Sequence, residues 1–196
     1  MATLTQKEIE AILTLLKDFT NYYNAHQLSK HLKISHAGAQ KLCKRLEKEN
    51  LLLAKKIGRS IIYKINIKDE YTQALLTFLL IDEANEFKRW REEFRSFFKD
   101  GRIIVFFGSA VKNYERASDI DLMLILPNKR TPTLDKNIKE KQKILPKQLH
   151  TIKLTTEEFI SNARKHQEAV INVIRNGIVI HGQKEYVEAL NHVTSG

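Results

Sequence analysis

The stretch RIIVFFGSAVKNYERASDIDLMLIL, residues 102–126, sets two apolar runs on either side of a polar segment. The first run ends in a Gly-Ser pair and the second opens with an Asp-Ile-Asp triplet, which predicts a strand, a turn with a short helix, and a second strand. Because side chains alternate between the two faces of a strand, Asp119 and Asp121 project from the same face. The sequence therefore predicts two neighbouring carboxylates at the start of an otherwise apolar strand.

Two carboxylates held this close repel each other unless a proton or a cation lies between them, and Mg²⁺ suits such oxygen ligands. Just upstream, Gly108 allows the backbone to approach a ligand closely, and Ser109 offers a hydroxyl at the start of the next helical turn. Backbone N–H groups at such a turn form an anion site suited to a triphosphate. A phosphate site beside a carboxylate pair predicts phosphoryl or nucleotidyl transfer.

The sequence after Leu126 continues the alternation of helix and strand. We predict, in order, a helix over 134–145, a strand within 147–154, helical structure over 155–177, a strand over 178–182 and a last helix around 186–190. This order indicates an α+β unit in which a small mixed β-sheet is flanked by helices.

The Gly-Ser pair, a spacer of nine residues and the Asp-Ile-Asp triplet together resemble the signature of the DNA polymerase beta-like nucleotidyltransferase superfamily. The general look is that of the minimal nucleotidyltransferases, which occur alone, fused to winged helices, or paired with a HEPN-type RNase toxin. Residues 169–190 add to the resemblance, because many of these proteins end with a helix, an apolar strand, a glycine and another helix. The resemblance implies the nucleotidyltransferase fold for residues 101–196.

The resemblance also implies roles for the residues of the motif. Asp119 and Asp121 would be catalytic and would bind the Mg²⁺ that carries the phosphates of ATP or another NTP. Gly108 and Ser109 would bind the nucleotide through its β- and γ-phosphates. An acceptor hydroxyl would then attack the α-phosphorus and release pyrophosphate.

One feature departs from the superfamily pattern, in which active members carry a third acid on a later strand. The matching strand here, QLHTIKL at residues 148–154, contains no acid. His150 or Thr151 stands at the position of interest, and Glu157 and Glu158 lie at the start of the following helix. Whether the chain is an enzyme is therefore left open. The role of His150 is open as well: a substitute base, a ligand, or simply a packed or exposed side chain.

The N-terminal third has the pattern of a helix, a helix-turn-helix and a hairpin. A first amphipathic helix opens with capping-box spacing, a short helix follows over 25–32, and a longer one over 36–50 has Ser35 as its N-cap. Two β-prone runs then predict a basic hairpin. In this order, residues 5–67 resemble a winged helix-turn-helix DNA-binding domain.

Charge supports a role of this domain in binding double-stranded DNA. Residues 1–68 hold thirteen Lys and Arg against five Asp and Glu, a net charge of +8 out of +10 for the whole chain. Such an excess favours phosphate contacts, because each contact releases condensed counterions. In the family's usual docking mode, one helix enters the major groove and the wing contacts the backbone. The residues that the resemblance places at DNA are His36, Gln40, Lys41, Lys44 and Arg45 on the helix, and Lys55, Lys56 and Arg59 on the wing.

Residues 69–99 contain neither Gly nor Pro and predict one long helix or two successive helices. An apolar stripe should pack on one or both domains, or on a second copy of the chain in a homodimer. Its members are Leu75, Phe78, Leu79, Phe87, Trp90, Phe94 and Phe97. We expect a winged helix DNA-binding domain at 1–68, a helical connector at 69–100 and a nucleotidyltransferase-like domain at 101–196.

The composition, 42% hydrophobic and 29% charged, is typical of a soluble globular protein. No apolar run approaches the about 20 residues that cross a bilayer, so no membrane partner is expected. Charged residues interrupt the first fifteen positions, so we expect no secretory signal and a cytoplasmic protein. The single cysteine, Cys43, excludes an internal disulfide and is expected to be a small core residue.

These features leave different classes of function. The first is a DNA-binding enzyme that transfers a nucleotide, AMP from ATP in the first instance, to a hydroxyl of a protein or a small molecule. The alternative is a transcriptional regulator or an antitoxin whose nucleotidyltransferase-like domain binds a nucleotide or a toxin partner with little or no catalysis. The intact motif favours the enzyme, whereas the missing third acid and the basic N-terminal third favour the alternative. A winged helix used for protein contact or dimerisation is a further possibility.

Overall fold

A computed structural model describes residues 4–194 and divides the chain into two compact units, the first ending at Leu79 and the second beginning at Leu80. The division falls within one helix, so the predicted connector, residues 69–100, contributes to both units. Each unit has its own sheet and its own buried apolar side chains. Among the described residues, no helix has both the length and the apolar character that crossing a membrane requires.

The first unit has helices followed by an antiparallel hairpin. The helices are α1 (Gln6–Lys17), α2 (Ala25–Leu32) and α3 (His36–Lys48), and the strands are β1 (Leu52–Ile57) and β2 (Ser60–Ile65). Thr5 and Glu8 form the predicted capping box of α1, and the Ser35 side chain caps α3 by accepting from the backbone N–H of Gly38. The order of elements predicted for a winged helix-turn-helix is confirmed.

Left-handed residues follow the ends of α2 and α3. Lys33, between α2 and α3, has a φ of 54° and turns the chain into α3. Asn50 has a φ of 60°, and α3 ends at Lys48, two residues before its predicted end.

Cys43 is fully buried on the inner side of α3, as predicted, and burial raises the pKa of its thiol to about 11. This thiol therefore stays protonated at neutral pH.

The second unit is an α+β structure that follows α4 (Glu70–Asn85), the helix that contains the division. In chain order it contains α5 (Lys88–Glu93), a 3-10 helix (Arg95–Phe97), β3 (Ile103–Phe107), α6 (Ser109–Lys112), β4 (Asp119–Leu126), α7 (Pro132–Ile144), β5 (Gln148–Thr155), α8 (Thr156–Arg164), α9 (Glu168–Asn176), β6 (Ile178–His181) and α10 (Gln183–Thr194). The strand order is β5-β4-β3-β6, with β4 parallel to β5 and β3 antiparallel to both of its neighbours. The predicted α+β class with a small mixed sheet is confirmed.

The helical structure predicted over 155–177 consists of two helices, α8 and α9, because the chain takes a left-handed φ of 53° at His166 between them. The predicted strand over 178–182 ends one residue earlier, since Gly182 has a φ of 76° that leads into α10.

Side chains from the predicted connector form part of the core of the second unit. Trp90, Phe94 and Phe97 are buried with the apolar residues of β3 and β4, and the Trp90 ring centroid lies 4.8 Å from that of Phe106. Phe78 of the same predicted stripe is instead 62% exposed. The core therefore holds β3 and β4 firmly at the place where the Gly-Ser and Asp-Ile-Asp motifs lie.

Candidate functional site

Two neighbouring parallel strands bring three ionisable side chains to one end of the four-stranded sheet. Asp119 and Asp121 are the first and third residues of β4, and Asp121 is paired in register with His150 of β5. The Nδ1 atom of His150 lies 3.5 Å from Oδ2 of Asp119 and 3.7 Å from Oδ1 of Asp121. One donor atom from each side chain lies within 4.8 Å of the other two. The aspartates thus converge with each other and with an imidazole.

Strand alternation explains why these side chains are accessible while their neighbours are not. Ile120 and Leu122 are fully buried on the opposite face of β4. The side chains of Asp119 and Asp121 are 27% and 21% exposed, and that of His150 is 49% exposed. Burial, and secondly the charge of Asp119, raise the pKa of the Asp121 carboxyl above its ordinary value, whereas His150 acts in the opposite direction.

The turn at Gly108 brings the backbone against the Asp121 carboxylate. Gly108 has a φ of 81°, in the left-handed region, and lies between β3 and α6. A Cβ atom at this position would lie 2.1 Å from Oδ2 of Asp121, far inside van der Waals contact. Ser109 follows as the exposed first residue of α6. The Gly-Ser turn and the aspartate pair therefore belong to one site, and the close approach requires glycine.

Lys147 fixes the position of residues 114–117, which lie between the two halves of the motif. The sequence did not predict this role for it. The Lys147 ammonium donates to the backbone carbonyls of Tyr114, Glu115 and Ala117 and lies 4.4 Å from the centroid of the Tyr114 ring. From the sequence alone, Lys147 looks like a further exposed lysine at the end of the lysine-rich helix α7. Its position directly after the helix-ending Pro146 is the signal that distinguishes it.

No third carboxylate joins the aspartate pair among residues 4–194, where the clustered ligand groups at this position are Asp119, Asp121 and His150. Glu158 belongs to the N-terminal cap of α8, where its carboxylate accepts from the backbone N–H of Thr155 and pairs with Lys129. The hydrogen bond from Lys129, and secondly that from the backbone N–H of Thr155, hold the pKa of the Glu158 carboxyl below its ordinary value. The strand position opposite Asp121 is therefore filled by the imidazole of His150 and not by a carboxylate.

The donor atoms present fit a divalent cation. Carboxylate oxygens and an imidazole nitrogen are common metal ligands, and such bonds of about 2.0–2.2 Å place adjacent ligands roughly 3 Å apart. The observed separations of 3.5 and 3.7 Å from Nδ1 to the two carboxylates exceed that spacing by less than 1 Å. The His150 side chain is 49% exposed and thus has space to rotate towards the carboxylates.

The predicted DNA-binding side chains lie on the exposed sides of α3 and the hairpin. The helix buries Ala39, Leu42, Cys43 and Leu46 on its inner side. The exposed members of the predicted set are His36, Gln40, Lys41 and Lys44 on α3, and Lys55, Lys56 and Arg59 on the hairpin. Lys48, which was not in the predicted set, is exposed on the same side of α3, two helical turns after Lys41.

Arg45 differs from the other members of this set. One of its guanidinium nitrogens lies 2.9 Å from Oε1 and 3.0 Å from Oε2 of Glu8, whose side chain is only 4% exposed. Glu8 also accepts from the backbone N–H and the hydroxyl of Thr5 in the capping box. Arg45 therefore neutralises a buried carboxylate and joins α3 to α1.

Residues 87–180 match the family model described as "Nucleotidyltransferase domain". This match covers the described site, including the Gly-Ser turn, both aspartates and His150, and it confirms the predicted resemblance for this part of the chain. No curated protein matches the chain significantly.

Two kinds of solved structure resemble about half of the chain. The adhesin competence repressor AdcR from Streptococcus pyogenes is 18% identical over 50% of this chain and 69% of its own, with a TM-score of 0.37. A variant of ZitR from Lactococcus lactis is 16% identical over 51% of this chain and 66% of its own, with a TM-score of 0.38. The matches thus span about two thirds of those structures, and TM-scores this low do not establish a common fold.

Proposed function

We propose that this chain, which carries a nucleotidyltransferase domain at residues 87–180, binds a metal–nucleotide complex and transfers the nucleotidyl group to an acceptor hydroxyl. The observation that carries the proposal is the convergence of Asp119 and Asp121 beside a glycine turn that approaches one of them too closely for any side chain. This arrangement combines a cation site with a backbone site for phosphate oxygens.

In this proposal Asp119 and Asp121 hold the divalent cation, Mg²⁺ in the first instance. Gly108 and Ser109 bind the β- and γ-phosphates of ATP or another NTP through backbone N–H groups and the exposed Ser109 hydroxyl. A bound cation supplies the positive charge that neutralises the phosphate oxygens. The rigid pairing of β3 with β4 keeps the turn and the carboxylates at a constant separation, which orients the nucleotide.

The acceptor is a hydroxyl of a protein or a small molecule. Its oxygen bonds to the α-phosphorus while the bond from that phosphorus to the bridging oxygen of the β-phosphate breaks, and pyrophosphate leaves with the electron pair. Because the described residues place no third carboxylate at the site, the hydroxyl proton passes to solvent water. We therefore expect slow turnover.

The test is incubation of the chain with ATP labelled in the α-phosphate and either Mg²⁺ or Mn²⁺, with and without candidate acceptors. Labelled product or labelled protein should form, and the double variant Asp119→Ala plus Asp121→Ala should reduce it by at least about 100-fold. Glu157→Ala removes an exposed carboxylate from the same domain and should leave the rate unchanged. Equal labelling by the double variant would contradict the site.

We propose further that the first unit binds double-stranded DNA. The supporting observation is the row of exposed cationic side chains on α3 together with those of the hairpin. The full chain should bind duplex DNA with an affinity that falls steeply between about 50 and 200 mM salt, since each phosphate contact releases counterions. Absence of binding at low salt would count against a DNA-binding role and in favour of a protein-contact role.

A second candidate is a regulator or antitoxin whose nucleotidyltransferase domain binds a nucleotide, a toxin or another acceptor protein without efficient turnover. The observation that favours it is that His150, and not a carboxylate, lies opposite Asp121 on the neighbouring strand. Saturable nucleotide binding that depends on Asp119 and Asp121, but without pyrophosphate release, would select this candidate.

We propose, alongside either function, that the chain self-associates through the exposed Phe78 of α4. The test is the molecular mass in solution.

A further inference from the structure

We propose that His150 is a metal ligand and that it makes the site selective for divalent transition metals, such as Mn²⁺, Co²⁺ or Zn²⁺, over Mg²⁺. The inference deepens the proposed function, because both use Asp119 and Asp121. It concerns the identity of the cation and the residue that selects it.

The backbone fixes the position of His150. Parallel pairing of β4 with β5 sets residue 150 opposite residue 121, and this register continues without interruption from Asp119 to Leu126. Ile120 and Leu122, on the opposite face of β4, are fully buried, so the strand has little freedom to slide or rotate. The imidazole is therefore held at the carboxylate pair by the sheet itself.

The orientation of the ring also supports ligation. Its Nδ1 atom faces both carboxylates, at 3.5 Å from Asp119 and 3.7 Å from Asp121, so a single ion can reach all three residues. Among the described residues, this is the one group of three such side chains with this geometry. A metal-binding signal that depends on both aspartates and on the histidine can thus be assigned to this place.

Ligand chemistry determines the selectivity. Mg²⁺ prefers six oxygen ligands and gives up its waters reluctantly, so a third carboxylate would suit it and an imidazole would not. Imidazole nitrogen binds transition-metal ions more strongly, with affinity rising from Mn²⁺ through Co²⁺, although it falls again from Cu²⁺ to Zn²⁺. A histidine in place of a third acid therefore changes which class of ion the site prefers. It does not only remove a ligand.

The competing interpretation is that His150 takes the place of the cation: a protonated imidazole would neutralise the two carboxylates directly. The two interpretations predict opposite effects of removing the ring. If His150 is a ligand, its loss weakens transition-metal binding. If it is a counter-charge, its loss leaves two unneutralised carboxylates and strengthens binding of every divalent cation.

The experiment measures metal binding to the full chain without nucleotide. Binding of Mn²⁺ is followed by loss of the free-ion electron paramagnetic resonance signal, and Mg²⁺ affinity is obtained by competition. We expect wild type to prefer Mn²⁺, His150→Ala to weaken Mn²⁺ binding by about tenfold or more with Mg²⁺ nearly unchanged, and His150→Asp to shift the preference towards Mg²⁺. The control His192→Ala, an exposed histidine of α10, should behave as wild type.

Co²⁺ supplies a direct readout of nitrogen ligation, because its visible absorption responds to the ligand set. The spectrum of the Co²⁺-loaded chain should change in His150→Ala but not in His192→Ala, and should be lost in the Asp119→Ala plus Asp121→Ala variant. Thermal unfolding of each variant establishes that the fold is intact. An unchanged Mn²⁺ affinity and Co²⁺ spectrum in His150→Ala, or tighter binding of both ions, would overturn the proposal.

The results separate this inference from the proposed function. Preference for Mg²⁺ with aspartate-dependent nucleotide transfer would refute the selectivity and leave the transferase proposal standing. Selective Mn²⁺ binding without transfer, in the presence of either ion, would refute the transferase proposal and leave the role of His150 standing.

Discussion

The two units of this chain present their candidate functional side chains in different ways. In the second unit, Asp119, Asp121 and His150 come from adjacent strands and converge on one point. In the first unit, side chains such as Lys41 and Lys44 lie along an exposed helix without converging. A convergent site fails when one member moves, whereas a charged surface loses affinity in increments, because each phosphate contact contributes separately.

The largest expected effect is that of Gly108→Ala, which tests whether the second unit depends on a close approach. The added Cβ would lie 2.1 Å from Oδ2 of Asp121, and φ is 81°, so the turn and the carboxylate have to move apart. We expect nucleotide transfer to fall by about 100-fold, as misplacement near 1 Å does in other sites. Gly58→Ala is the matched control: its φ is also positive, at 58°, but nothing lies within 4 Å of the added atom. Equal rates in the two variants would contradict the role of Gly108.

The double variant Lys41→Ala plus Lys44→Ala tests whether the first unit behaves as an additive surface. We expect affinity for duplex DNA to fall roughly tenfold at moderate salt, and the slope of log affinity against log salt to decrease by about two, one per lost contact. Fluorescence anisotropy across a salt series measures both. Lys139→Ala plus Lys143→Ala, two exposed lysines of α7, is the control. A salt slope that both double variants leave unchanged would remove α3 from the DNA interface.

The variant Lys147→Met tests whether the convergent site needs support from outside its own residues. The change removes the hydrogen bonds to the carbonyls of Tyr114, Glu115 and Ala117 but keeps the length of the side chain. We expect a decrease of about 1–3 kcal/mol in the free energy of unfolding and a several-fold decrease in nucleotide transfer. Lys143→Met, on exposed α7, should change neither quantity. A Lys147→Met variant that binds and transfers nucleotide as wild type would show that the 114–117 segment does not position Asp119.

The smallest expected effect on function is that of Arg45→Met. Because Arg45 neutralises buried Glu8, the change should lower the free energy of unfolding by about 1–3 kcal/mol and alter DNA affinity less than twofold. Lys44→Met should show the reverse pattern, with weaker DNA binding and unchanged stability. Chemical denaturation and anisotropy on the same samples provide the measurements. Arg45→Met with normal stability and weakened DNA binding would instead place Arg45 at the DNA.

Local signals were sufficient for most elements of both units. The bounds of α2, the capping box of α1, the N-cap Ser35 and the hairpin follow from residue types within a few positions of one another. Long-range contacts account for what the sequence left open or did not show. The sequence predicted that the stripe containing Trp90 packs on one or both domains or on a second copy, and the structure shows Trp90 buried in the second unit. The division inside α4 and the contact of Arg45 with Glu8 were not predicted, because they depend on residues far apart in sequence.

The candidate site was also predicted only as far as local signals reach. Alternation along one strand places Asp119 and Asp121 on a common face, and this rule needs no knowledge of the rest of the chain. The residue opposite them depends on the register between two parallel strands, which the packing of both faces of the sheet selects. The fold alone therefore decided that His150 faces the carboxylates, that Lys147 holds the connecting segment, and that Gly108 lies against Asp121.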